Sequence, residues 1–115
     1  MNNSNLTSST DKNIRNHLIS LKKLYLKDFD SIEDLQKHIE TKLEKVFLDE
    51  TKTLLSQTNI LFYLDIKKSS IANRIEKYDL NLSANSHKKM ISSKSFIRYF
   101  AVPEIMGCIT SKKAI

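Results

Sequence analysis

The clearest pattern in the chain lies in residues 57–80, QTNILFYLDIKKSSIANRIEKYDL, where apolar positions recur at helical spacing on both sides of a short polar break. Ile60, Leu61 and Leu64 give a first helix its inner face. Asp65-Ile66-Lys67 reads as a tight turn, and Ile71 and Ile75, closed by Tyr78, form the inner face of a second helix. The outward face of that second helix carries Lys67, Lys68, Ser69, Ser70, Asn73, Arg74 and Lys77. The spacing predicts a helix-turn-helix at 57–78. A short helix with an apolar back and a front of Lys, Arg, Ser and Asn suits the major groove of double-stranded DNA.

Two longer helices are expected upstream. Ile14, Leu18, Leu21 and Tyr25 recur at three- and four-residue steps and predict a helix from about Asp11 to Lys27, after an uncharged, disordered stretch at 1–10. Ser31, with Asp34 three residues on and Glu33 favouring the helix dipole, starts another. Its stripe of Ile32, Leu35, Ile39, Leu43, Val46 and Phe47, widened by Leu48, Leu54 and Leu55, extends it to about Leu55. A stripe that wide in so small a chain suggests a homodimer, although covering the helix-turn-helix would use it equally well.

Downstream, residues 81–95 are rich in Ser, Asn and Lys and read as a linker. Residues 95–109, SFIRYFAVPEIMGCI, are apolar and aromatic, and are interrupted by Pro103 and Gly107. This segment reads as a short strand, a helix ended before Pro103, or a docking peptide. It holds more apolar and aromatic side chains than a free linker should expose, so it either packs back on the domain or docks a partner; as a docking peptide it would present Phe96, Tyr99, Phe100 and Ile105 to a partner such as RNA polymerase or an associated regulator. The division expected is thus 1–10, a helical domain at 11–81, and a linker with apolar tail at 82–115. With a single Gly and a single Pro in 115 residues, turn-rich antiparallel architectures are disfavoured, and the fold class expected is all-α.

Charge sharpens this reading. Residues 1–65 hold nine Lys/Arg and ten Asp/Glu, whereas residues 66–115 hold ten and three, so a charge of +7 sits in the half that contains the second helix of the motif. That asymmetry points to a polyanionic partner. No apolar run reaches the length of a membrane span, and MNNSNLTSST lacks the features of a secretory signal, so a cytoplasmic protein is expected, with no membrane partner.

The segment LDIKKSSIANRIEKYDL resembles the helix-turn-helix of the Fis family, which includes the nucleoid-associated protein Fis and the C-terminal domains of NtrC-type activators. The family pattern is roughly Leu-Gly-Ile-Ser/Asn-Arg-x-Thr-Leu-x-x-x-Leu-x-x-Tyr-Gly-Ile/Met. Leu64, Asp65, Ile66, Lys67, Lys68, Ser69, Ser70, Ile71, Ile75, Tyr78, Asp79 and Leu80 follow it without gaps, and the resemblance extends over about residues 31–81. It implies a DNA-binding transcription regulator of the bacterial nucleoid, dimerised through its first two helices. By position it also implies groove contacts from Lys67, Lys68, Ser70 and Asn73, with Arg74 and Lys77 on phosphates. Asp65 stands where the family has a turn Gly, and Asp is one of the few residues that tolerates the left-handed conformation. Lys67 replaces the usual Ser/Asn cap, which shifts the expected cap to Ser69. Leu61 replaces a usual Ala, and Asp79 replaces a Gly. Lys68 replaces a groove-reading Arg and lacks its bidentate fork, which softens selectivity. The tail after Asn81 has no counterpart in that family.

No catalytic constellation stands out, and no cofactor or metal is expected. His17, His38 and His87 are far apart, Asp28, Asp30 and Asp34 lack a calcium-loop spacing, and Cys108 sits among apolar neighbours. The expected function is DNA binding and regulation without enzymatic activity. The competing class is a helical protein–protein adaptor or small inhibitor that is basic by chance.

Overall fold

Ser8 starts the first helix by accepting the backbone N–H of Asp11 at 3.1 Å, so α1 (Ser9–Leu21) begins inside the stretch expected to be disordered. In this computed structural model residues 8–77 and 90–112 are described; Tyr78, Asp79, Leu80, His87 and most of the expected linker fall outside them. Ile14, Leu18 and Leu21 are buried as the stripe predicts, but Tyr25 is half-exposed, because the helix stops at Leu21 and the chain bends into a 3-10 turn at Leu26–Asp28. The Tyr25 ring instead lies under the Lys112 ammonium group, 4.6 Å from the ring centroid. That ammonium also donates to the carbonyls of Lys22 and Leu24, at 2.7 and 3.1 Å.

Ser31 caps α2 (Ile32–Asp49), accepting the Asp34 N–H at 3.1 Å. The helix ends earlier than its apolar run. Thr51 takes up a left-handed conformation (φ 53°), unusual for a β-branched residue, and the following Leu54–Leu55 is extended as β1. Helix α3 spans Gln57–Leu64 and starts with a reciprocal box, in which Ser56 accepts the Asn59 N–H and Asn59 accepts the Ser56 N–H. A 3-10 turn, Lys68–Ile71, runs into α4 (Ala72–Lys77). Strand β2 (Ile91–Ser92) pairs antiparallel with β1, Leu54 opposite Ser92 and Leu55 opposite Ile91.

Three helical pieces follow without a break: Ser93–Phe96, a π turn at Ile97–Ala101, and Val102–Thr110. Together they form one rod, α5. The expectation that a helix would end before Pro103 is therefore corrected. Proline has no N–H for the carbonyl one turn back and its ring crowds that carbonyl, and the widened π turn just ahead of Pro103 accommodates both defects. The fold is a small, mostly helical domain with one two-stranded ladder, as the all-α reading expected.

The docking-tail reading fails on burial. Phe96, Phe100 and Ile105 are fully buried and belong to the main core; of the four residues assigned to partner binding, only Tyr99 reaches the surface. The division at 82 fails with it, since residues 91–110 complete the domain. The same helix explains the wide stripe of α2. Leu35, Ile39, Leu43, Val46 and Phe47 are buried within this chain, in one core with α5, and Leu48 and Leu54 stay exposed.

Two outcomes test this packing. Phe96→Ala should lower stability by about 3–5 kcal/mol, enough to abolish cooperative thermal unfolding measured by circular dichroism. Gly107, exposed in mid-helix with open space around the position of a Cβ, should accept Ala with a gain of about 0.5–1 kcal/mol in a urea titration.

Candidate nucleic-acid interface

The turn between α3 and α4 is held from outside the motif. Asp65 sits in the left-handed region (φ 57°, ψ 49°) and its N–H bonds the Leu61 carbonyl at 2.9 Å, which is the role expected of the residue replacing Gly. Arg15 of α1 reaches across to it. Its Nη2 donates to Asp65 Oδ1 at 2.7 Å, while its guanidinium group covers the Phe62 ring at 4.8 Å. Lys22, also on α1, donates to the carbonyl of Leu64 at 2.7 Å and places a cation at the C-terminal end of α3.

Below the turn, the inner face of α3 differs in detail from its expected pattern. Ile60, Tyr63 and Leu64 are buried, whereas Leu61 and Phe62 are only partly so. Leu61, expected on the inner face, packs against the edge of the core and is only partly buried. The Tyr63 hydroxyl donates to the carboxylate of Asp11, itself nearly buried. Burial first, then that hydrogen bond and the nearby carboxylate charge, hold the Tyr63 proton well above the usual phenol range. Asp11, Arg15, Lys22 and Tyr63 were all missed as supports of the motif. Tyr63 was readable, three residues after Ile60. The other three lie more than forty residues away, and nothing local in their sequence marks the contact.

Helix α4 is anchored by Ile71 and Ile75, both buried as expected. The predicted cap at Ser69 does not form. The chain enters through the 3-10 turn with no side-chain cap at Lys67, and the Ser70 N–H bonds the Lys67 carbonyl at 2.9 Å. Lys67, Lys68, Ser69, Ser70, Asn73 and Lys77 all lie on the exposed side, joined there by Ala72 and Glu76. Arg74 departs from this set. It is half-buried, and its Nη1 is shut off from solvent without a hydrogen-bond partner. A shallow hollow of about 220 Å³ lies along Ser69, Ser70, Ala72, Asn73 and Arg74. Among the described residues there is no cluster of His, Cys, Asp and Glu able to hold a metal ion, and no helix long and apolar enough to cross a membrane. Comparison with protein-family models, with curated proteins and with solved structures finds no match to this chain.

The turn and its buried phenol make separate predictions. Asp65→Ala should cost about 1–2 kcal/mol, since Ala pays the left-handed penalty and loses the bridge. Asp65→Gly should stay within about 0.5 kcal/mol of wild type, because relief of that penalty offsets the loss of a half-exposed ion pair. Equal losses in chemical denaturation would show that the bridge, and not the backbone, matters. For Tyr63, the folded state holds the proton more tightly than the unfolded chain. Stability is therefore full below the ordinary phenol value of about 10 and falls as pH rises above it. Tyr63→Phe should flatten that alkaline decline while lowering stability at neutral pH by about 1–3 kcal/mol, the effect of stranding the Asp11 carboxylate.

Proposed function

We propose that this protein binds double-stranded DNA through the outward face of residues 67–77 and acts as a transcription regulator or DNA-architectural factor. The observation that carries the reading is the combination found at one place. A helix pair is fixed by a left-handed turn, and its second helix turns Ile71 and Ile75 inward and Lys67, Lys68, Ser69, Ser70 and Asn73 outward. The net charge of +7 in residues 66–115 supports it, because phosphate neutralisation supplies most of the affinity of such helices. On this reading Lys77 meets phosphates, Lys67 and Lys68 enter at the groove edge, where their ammonium groups neutralise phosphates in place of the base contacts that the resemblance implies, and the Ser and Asn side chains meet base edges. The protein then acts on the nucleoid of a bacterial cytoplasm. The Fis-type resemblance of residues 64–80 agrees with the reading, whereas α5 sets this chain apart from that pattern.

A mobility-shift titration over a range of salt concentrations tests it. Wild type should bind duplex DNA with an affinity that falls steeply as salt rises, and Lys68→Ala should reduce the slope of that dependence by about 1. Asn73→Ala should weaken binding with no change in slope. A flat salt dependence in wild type removes the DNA-binding assignment and leaves the adaptor class, whereas equal binding by all three proteins removes the assignment of residues 67–77 as the recognition surface.

A further inference from the structure

We propose that the second helix of the motif selects A·T base pairs in the major groove, with Asn73 as the residue that decides the preference; this rests on the DNA-binding reading above. The strongest protein signal for guanine is an arginine fork that donates to O6 and N7 together. The single Arg of this helix is Arg74, and its full fork is not free for a base edge: the residue is half-buried, with Nη1 closed off from solvent. The remaining cations, Lys67 and Lys68 at the entry and Lys77 at the far end, lack the planar fork and act as point charges.

What the exposed surface does offer suits adenine and thymine. Ser70 and Asn73 stand three residues apart on one helix face, with Ser69 and Ala72 beside them, and all four are exposed. No intramolecular hydrogen bond engages the side chains of Ser69, Ser70 or Asn73 among the described residues. The Asn73 amide presents one donor and one acceptor in the plane that adenine N7 and N6 match, and the Ala72 methyl is the right partner for the thymine C5 methyl.

The test measures affinity for two duplexes of equal length, one A·T-rich and one G·C-rich, at fixed salt. Wild type and Asn73→Ala are compared, together with an A·T duplex carrying 7-deazaadenine. Wild type is expected to prefer the A·T duplex by about tenfold or more, the worth of one good bidentate pair. Asn73→Ala and 7-deazaadenine should each erase most of that preference, and the two together should lose no more than either alone. Asn73→Arg, which installs the missing fork, should move the preference towards G·C. Equal affinity of wild type for both duplexes, with salt dependence retained, overturns the base preference and leaves DNA binding standing. An A·T preference that survives both Asn73→Ala and 7-deazaadenine overturns the Asn73 assignment in favour of recognition by DNA shape. Failure to bind either duplex overturns this proposal and the function it rests on.

Discussion

Four helices meet on one side chain. The ring of Tyr63, on α3, packs edge-on against Phe47 of α2 at 5.9 Å and against Phe96 of α5 at 6.1 Å, and those two rings touch each other at 5.7 Å. Its hydroxyl leaves the aromatic cluster and ends on Asp11 of α1. Each aromatic pair contributes about 0.5–1.5 kcal/mol beyond the area it buries, and the hydrogen bond satisfies a carboxylate that would otherwise be stranded. Tyr63 stands two residues before Asp65. Whatever fixes this ring therefore fixes the height and direction from which the chain turns into α4, and Arg15 and Lys22 fasten the same turn from above.

Rigidity is not shared evenly across the motif. Helix α3 is gripped on its inner side by the aromatic cluster and along its length by α1. Helix α4 is short, begins as an uncapped 3-10 turn, and is anchored by two isoleucines. A segment with so few buried contacts lies towards the low end of local stability, whereas the frame that aims it lies near the top.

Much of the fold was legible because its signals are local. Ser31 caps its helix as expected, and Ile71 and Ile75 face inward as their spacing requires. Asp65 adopts the conformation for which its residue type is suited. What was not legible depends on distant partners. Tyr25 reads as a fourth stripe residue, but its neighbour is Lys112. Leu54 and Leu55 read as more of α2, but Thr51 breaks the helix and β2 offers an extended partner. Pro103 reads as a stop, and the π turn ahead of it removes the conflict. Phe96, Phe100 and Ile105 read as too apolar for a free tail. That observation was sound, although their place is inside the core. For the candidate interface, the outward Lys, Ser and Asn residues were evident from periodicity, whereas the inward turn of Arg74 was not, since an arginine on a basic face gives no local sign of burial.

Placing Phe96 and Phe100 in the middle of the core has a consequence for biosynthesis. A chain emerging from the ribosome presents the motif before it presents α5, and until then Phe47 and Tyr63 lack the Phe96 ring that packs against both. Contacts between residues this far apart in sequence form late and slowly. A nascent or prematurely terminated chain ending before residue 96 thus carries the side chains of the candidate interface without the frame that holds them in place, and it exposes apolar surface to chaperones and proteases. A settled candidate interface and escape from quality control are acquired together, in the folding step that seats α5.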